Sequence, residues 1–299
     1  MTSSIPPVVD ADWLDAHRKN VAILHATFDE DFNIDHEQFL ANYFGNLELL
    51  MDRFKSEEYL TEHIPGAVHF GINIACMPGK TEKHSLYNQQ QIAPYLQQLA
   101  IYPDEHIVIY SDGPYNGMLY AAKARWLLKI YGMSKISVLE GGFSAWKKAG
   151  KGVTDEVVPL APSYYVPRQM YLEEHINFDE LCVGRRTEEA PILFDLTHNN
   201  FIDCRPAAQF KGTAKPKQFE KDVLGSFIEK SKSLPLMNIL TISGKLASTA
   251  QITKALKKAG FKSNLTTVLF CYDGMQCPLV GLAMESAGLK PPVIFNVSS

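Results

Sequence analysis

The chain has 299 residues, a length that is long for one domain and comfortable for two. Its formal net charge of -4 and its pI of about 6.1 argue against the basic surface that binds nucleic acid. No apolar run approaches the length that spans a bilayer, and five scattered cysteines do not form a disulfide framework.

The first half of the chain alternates short β-rich apolar runs with helical patterns. The predicted strands are residues 21–28, 67–70, 106–111 and 135–139. The predicted helices are residues 89–100, 117–131 and 143–149. Strands that alternate with helices are typical of a parallel sheet that helices cover on both faces.

Residues 151–168 break this alternation, because they contain Gly152, Pro159, Pro162 and Pro167 and few periodic apolar positions. We therefore predict an interdomain linker over 151–168, between an N-terminal domain at 1–150 and a C-terminal domain at 169–299.

The second half repeats the order of the first. The predicted helices are residues 178–186, 219–232, 248–258 and 278–287. The predicted strands are residues 192–196, 201–204, 237–242 and 267–272. This order indicates an internal duplication of one α/β unit.

Two segments of the first half carry recognisable motifs. Residues 62–68 read EHIPGAV and resemble the GHIPGA signature of rhodanese domains. Residues 138–146 read VLEGGFSAW and resemble the LDGGFxAW signature of the same family. In the second half, residues 203–206, 209–213 and 272–274 resemble the DSR, R(F/Y)xGT and YDG segments of that family.

The chain therefore resembles the tandem-domain rhodaneses, and among them the thiosulfate and 3-mercaptopyruvate sulfurtransferases. The resemblance implies an α/β fold of two tandem rhodanese-like domains, each a mainly parallel sheet flanked by helices. It also implies an inert first domain, no cofactor, and a nucleophilic cysteine in the second domain, on a loop between a strand and a helix.

Counting back from Gly260 places Ser243 at this nucleophile position, after predicted strand 237–242 and before predicted helix 248–258. A serine hydroxyl cannot form a persulfide, and its pKa is far above the value of about 8.5 that is typical of a thiol. We therefore predict a sulfurtransferase-like protein that is catalytically degenerate.

Three further residues are predicted to bind substrate. Arg205 and Lys245 match basic residues of the family and could hold an anion, whereas Gln209 stands where the family has a substrate-binding arginine. The expected partner is a small sulfur-containing anion or a protein, and we expect neither nucleic acid nor a membrane. We also expect no metal, because no histidine and cysteine residues have the spacing of zinc ligands.

Other functions stay open at this stage. An active sulfurtransferase could move sulfane sulfur from thiosulfate or 3-mercaptopyruvate to a thiol or cyanide through Cys277 or Cys271. Cys277 begins the last predicted helix, where a lowered thiol pKa would be expected. An anion- or protein-binding module, or a hydrolase that uses Ser243 with a histidine base, are the remaining alternatives.

The first residues of the chain bear on the cellular compartment of the protein. Residues 1–7 lack the charged and apolar regions of a secretory signal, so we expect a cytoplasmic protein. The family resemblance is also compatible with mitochondria, although no presequence is visible.

Overall fold

The computed structural model describes residues 5–80, 82–168, 174–183, 198–214 and 227–296. The chain divides into two compact units, Met1–Met170 with Ser243–Lys245, and Tyr171–Ile242 with Leu246–Ser299. Residues 151–168, predicted as a linker, hydrogen-bond within the first unit, for example from the Ser163 N–H to the Gln97 carbonyl at 2.9 Å. The domain boundaries at residues 150 and 169 stay a prediction.

The first unit contains a parallel five-stranded sheet. Its strands and those of a small ribbon are β1 (Val8–Val9), β2 (Ala22–Thr27), β3 (Ala67–Gly71), β4 (Cys76–Met77), β5 (Ser85–Leu86), β6 (Ile107–Tyr110) and β7 (Ile136–Leu139). Its helices are α1 (Ala11–His17), α2 (His36–Asn42), α3 (Leu47–Arg53), α4 (Glu57–Thr61), α5 (Ile72–Ala75), α6 (Gln89–Gln98), α7 (Met118–Ile130) and α8 (Gly142–Lys148). The sheet order is β1-β7-β6-β2-β3, while β4 and β5 pair separately and antiparallel.

The buried character of β6 and α7 explains this arrangement. All four residues of β6 are buried, and so is every residue of α7 except Lys129. A strand that is apolar on both faces requires cover on both faces, which is the environment of a parallel sheet. α6 begins where Asn88 and Gln91 form a reciprocal capping box.

The second unit repeats the parallel sheet. Its strands are β8 (His175–Ile176), β9 (Asn199–Asp203), β10 (Lys232–Ser233), β11 (Thr266–Phe270) and β12 (Val293–Phe295). Its helices are α9 (Phe178–Val183), α10 (Ala207–Phe210), α11 (Thr249–Lys258) and α12 (Cys277–Ser286), with a 3₁₀ turn at Leu236–Asn238.

The strand order shows the duplication. The second sheet has the order β10-β9-β11-β12-β8, and every neighbouring pair is parallel. Read from its other edge, this order is the order of the first sheet, so β8, β12, β11, β9 and β10 correspond to β1, β7, β6, β2 and β3. The predicted α/β class, with two parallel sheets flanked by helices, is confirmed.

The strand predicted at 237–242 is wrong. The segment forms the 3₁₀ turn and then an isolated bridge between Leu240 and Leu246. Of residues 237–242 only Ile239 and Leu240 are buried, whereas Ile242 is fully exposed. In addition, β9 already pairs with β10 and β11 on its two edges.

Other differences concern the ends of the second unit. Of the helix predicted at 219–232, residues 219–226 lie outside the described residues, and residues 227–231 are not helical. Lys232 and Ser233 instead pair with Ile202 and Asp203, so sheet pairing overrides a helical pattern. The strand predicted at 192–196 also lies outside the described residues. The sequence analysis missed β12, which has only three residues.

No helix in the described parts of the chain has both the length and the apolar character needed to cross a membrane.

The core of the second unit generates a stability prediction. Phe201 is buried, and its ring stacks on Phe270 with centroids 4.5 Å apart. Phe201→Ala should lower the free energy of unfolding by about 3–5 kcal/mol, because it leaves a cavity between β9 and β11. Urea denaturation followed by circular dichroism measures this loss.

The matched control is Phe178→Ala, since the Phe178 side chain is 54 % exposed. It should cost at most about 1 kcal/mol. Equal losses for the two variants would contradict the described core.

Candidate functional site

The middle strand of each sheet is followed by a short loop and a long helix. In the first unit β6 ends at Tyr110 and α7 begins at Met118, and in the second unit β11 ends at Phe270 and α12 begins at Cys277. Open parallel sheets bind ligands at the carboxyl ends of such strands. These two loops are therefore equivalent candidate sites.

The strand register identifies equivalent residues in the two loops. Tyr110 pairs with His25 on β2, and Phe270 pairs with Asp203 on β9. The residue after each of these strand ends opens the loop. It is Ser111 in the first unit and Cys271 in the second.

Ser243 does not occupy this loop, so the premise of its assignment is wrong. The strand predicted before it does not exist, and the helix after it, α11, corresponds to α6 of the first unit rather than to α7. Ser243 is exposed, and its carbonyl oxygen accepts a hydrogen bond from the Asn116 side chain within the first unit. The sequence assignment was displaced by one strand and one helix.

A signal for this alternative alignment was present in the sequence. Ser248 and Gln251 form a capping box at the start of α11, as Asn88 and Gln91 do at α6. Cys271 lies 23 residues after Ser248, and Ser111 lies 23 residues after Asn88. Aligning the two halves on these capping boxes, instead of on Gly260, places Cys271 opposite Ser111.

The sulfur of Cys271 lies at the amino end of α12. It accepts a hydrogen bond from the backbone N–H of Cys277, the first residue of that helix. A helix N-terminus carries partial positive charge and exposed N–H groups, which stabilise an anionic sulfur. This loop therefore offers Cys271 the setting of a sulfur anion.

The surroundings of Cys271 also oppose its ionisation. Burial raises the pKa of its thiol well above the usual value, and the Cys277 thiol and the Asp273 carboxylate raise it further. The Cys277 N–H acts in the opposite direction. At neutral pH the resting thiol is thus mostly protonated.

The loop has a defined shape. The Asp273 carboxylate accepts the Met275 N–H at 3.1 Å, and Gly274 adopts φ of 72°, a left-handed conformation that favours glycine. The turn leads the chain from the end of β11 directly into α12.

Arg205 lies at the same edge of the sheet as Cys271. It follows β9, the parallel neighbour of β11, by two residues. Its Nε lies 3.0 Å from both Oδ atoms of Asp203, and its Nη2 lies 2.6 Å from Oδ2. The Asp203 side chain is fully buried, so Arg205 supplies the positive charge that this carboxylate requires.

The other predicted substrate residues are placed separately. Gln209 is partly exposed on α10 of the second unit. Lys245 belongs to the first unit, where its Nζ lies 3.6 Å from the Glu140 carboxylate. An anion pocket that Arg205 and Lys245 share stays a prediction.

Cys277 begins the last helix, as the sequence predicts, but the expected lowering of its thiol pKa is wrong. The side chain is fully buried, and burial raises the pKa well above the usual range. A hydrogen bond with the Cys204 thiol raises it further.

Comparison with known proteins identifies the family of the chain. The family model of the rhodanese-like domain matches residues 35–149. Thiosulfate sulfurtransferase of Bos taurus is 30% identical over 247 residues, which cover 81% of this chain and 77% of that protein. The chain belongs to the rhodanese family.

Further similarities extend over both units. The 3-mercaptopyruvate sulfurtransferase of Escherichia coli strain K12 is 25% identical over 79% of this chain and 78% of that protein. The crystal structure of SseA from Escherichia coli, with the rhodanese fold, matches with a TM-score of 0.73 at 21% identity, covering 98% of this chain and 99% of SseA.

The first unit of this rhodanese has no thiol at its loop, because the equivalent residue is Ser111. Cys76 of that unit is buried, and burial raises its pKa to about 11. The second unit therefore carries the candidate site.

The environment of Cys271 predicts its reactivity. Because its pKa is raised, the thiolate fraction should increase about tenfold per pH unit from pH 7 to pH 9, without a plateau in that range. Alkylation by iodoacetamide, followed at Cys271 by peptide mass spectrometry, measures this fraction. Glutathione provides the reference thiol, and a plateau for Cys271 below pH 8 would contradict the described environment.

Proposed function

We propose that this chain is an active sulfurtransferase and that Cys271 carries the sulfur. The supporting observation is the position of Cys271, which follows the middle strand β11 and receives the N–H of the first residue of α12. The predicted inactivity rested on Ser243, and it loses that support because Ser243 lies outside the loop.

The proposed reaction has two steps. The Cys271 thiolate attacks the sulfane sulfur of thiosulfate, the S–S bond breaks, and its electron pair leaves with sulfite. With 3-mercaptopyruvate the C–S bond breaks instead, and the pyruvate enolate leaves and takes a proton. Cys271 then holds a persulfide, whose negative charge the amino end of α12 stabilises.

In the second step an acceptor attacks the terminal sulfur of the persulfide. Cyanide leaves as thiocyanate, or a thiol leaves as a new persulfide, and the Cys271 thiolate is restored. Sulfur transfer of this kind requires an atom that is both a good nucleophile and a good leaving group, which a thiolate is and a hydroxyl is not.

A cyanide-dependent assay with thiosulfate or 3-mercaptopyruvate tests the proposal. The natural protein should turn over, and Cys271→Ser should lower kcat by at least about 10³-fold, because the nucleophile is lost. Ser243→Ala should stay within about twofold of the natural protein, and Ser243→Cys should not restore activity to the Cys271→Ser variant.

Two results would contradict this assignment. A natural protein with no turnover on either donor would leave an anion- or protein-binding module as the function. Loss of activity in Ser243→Ala would indicate that the active site contains Ser243.

The charge of the loop predicts donor preference. Asp273 lies close enough to raise the pKa of Cys271, so it also repels an approaching dianion such as thiosulfate. Asp273→Asn should raise kcat/KM for thiosulfate by about 3–10-fold at low salt, and less for 3-mercaptopyruvate, which carries one carboxylate.

The control for this prediction is Glu285→Gln, near the other end of α12 and about 12 Å along the helix axis from Cys277. It should leave the ratio of the two kcat/KM values unchanged. An equal gain for both donors in Asp273→Asn would show that Asp273 acts on the thiol alone and not on the donor.

A further inference from the structure

Three thiols of the second unit lie together at the proposed site. Cys204 follows β9 and Cys271 follows β11, directly after the registered pair Asp203 and Phe270. The Cys204 N–H donates to the Phe270 carbonyl at 2.8 Å. The Cys277 thiol, on the first residue of α12, hydrogen-bonds with the thiols of both Cys204 and Cys271.

The cluster is reduced, and only Cys271 reaches solvent. Cys204 and Cys277 are fully buried, Cys271 is 6% exposed, and all three are free thiols. Within the described residues, no group of histidine, cysteine and acidic side chains could hold a metal ion.

We propose that Cys277 is a resolving thiol, which releases sulfide from the Cys271 persulfide when no external acceptor is bound. This inference rests on the proposed function, because that function generates the persulfide. It gives the chain a second reaction, the conversion of sulfane sulfur to sulfide with formation of an internal Cys271–Cys277 disulfide.

The reaction balances without any further oxidant. The Cys277 sulfur attacks the inner sulfur of the persulfide, which is the Sγ atom of Cys271. A Cys271–Cys277 bond forms, the bond to the terminal sulfur breaks, and the terminal sulfur leaves as hydrosulfide with the proton of the Cys277 thiol. The terminal sulfur is reduced, and the two cysteine sulfurs are oxidised to a disulfide.

The protonation state of Cys277 suits this role. Burial keeps its thiol protonated at neutral pH, so it carries the proton that the departing sulfur needs. A protonated thiol is also a weak nucleophile, so the internal attack is slow and an external acceptor that reaches the persulfide reacts first. A dithiol reductant reopens the disulfide and restores Cys271.

The hydrogen bonds favour Cys277 over Cys204 as the resolving residue. The Cys271 thiol hydrogen-bonds with the Cys277 thiol. The Cys204 thiol hydrogen-bonds with Cys277 as well, and not with Cys271. Cys277 is thus a hydrogen-bond partner of the sulfur that it must attack. Cys204 hydrogen-bonds with the resolving thiol.

The experiment uses the full-length reduced protein without oxygen and without an acceptor. Thiosulfate serves as the donor because it has no thiol of its own, and gel filtration then removes donor and sulfite. Intact mass, free sulfide, and chymotryptic peptides made after alkylation are followed over time. Cleavage after Tyr272 separates Cys271 from Cys277 unless a disulfide joins them.

We expect a gain of about 32 Da on Cys271, followed by release of sulfide and a final mass about 2 Da below that of the reduced protein. The chymotryptic peptides should be joined through Cys271 and Cys277. Cys277→Ser should slow sulfide release at least about tenfold, whereas Cys182→Ser, a change in α9, should not.

The contrary results separate the two proposals. Absence of the added sulfur on Cys271 would overturn the proposed function, and this inference with it. A persulfide that persists in the natural protein, or a disulfide that joins Cys204 to Cys277, would overturn the resolving role alone.

Discussion

The hydrogen bond from the Cys277 N–H to the Cys271 sulfur joins the two elements on which the site depends. Cys271 follows the carboxyl end of β11, and α12 begins only six residues later with Cys277, whose N–H donates to that sulfur. The connection works because β11 is buried in the middle of a parallel sheet, so that the strand end, the loop and the helix start are held by the core.

The duplication shows how the candidate site differs from the equivalent loop of the first unit. In the first unit, Ser111 opens the loop, and the residue beside the strand end is His25, which is buried against Tyr110 and lies 3.4 Å from Asp112. In the second unit, Cys271 opens the loop, and Asp203 is held by Arg205. The same backbone order therefore carries a thiol at the loop, beside an arginine–aspartate pair, in the second unit, and a serine beside a histidine–aspartate pair in the first.

Much of the fold could be predicted from the sequence. In the first half, long apolar runs and clear helix ends predicted four strands and three helices, namely β2, β3, β6, β7, α6, α7 and α8, and the motifs at 62–68 and 138–146 identify the family. The short elements β1, β4, β5 and α1–α5 were not predicted. The second half was harder, because its elements are short: β10 has two residues and β12 has three. Strands of that length are defined by their neighbours in the sheet and leave little periodic pattern in the sequence.

The assignment of Ser243 followed from the same cause. With β12 missed, β11 looked like the last strand, and residues 272–274 looked like a closing motif. The apolar run at 237–242 then took the place of the middle strand, and Ser243 took the place of the nucleophile. The exposed Ile242 and the turn at Leu236–Asn238 arise from tertiary pairing that single-sequence periodicity does not report.

The central claim is that one sulfur atom, on Cys271, receives the transferred sulfur. A crystal structure of the protein soaked briefly with 3-mercaptopyruvate would test it most directly. The account predicts electron density for one additional sulfur bonded to the Sγ atom of Cys271, at the amino end of α12. Additional sulfur on any other residue, or an unchanged Cys271 after pyruvate has been released in the same crystals, would contradict it.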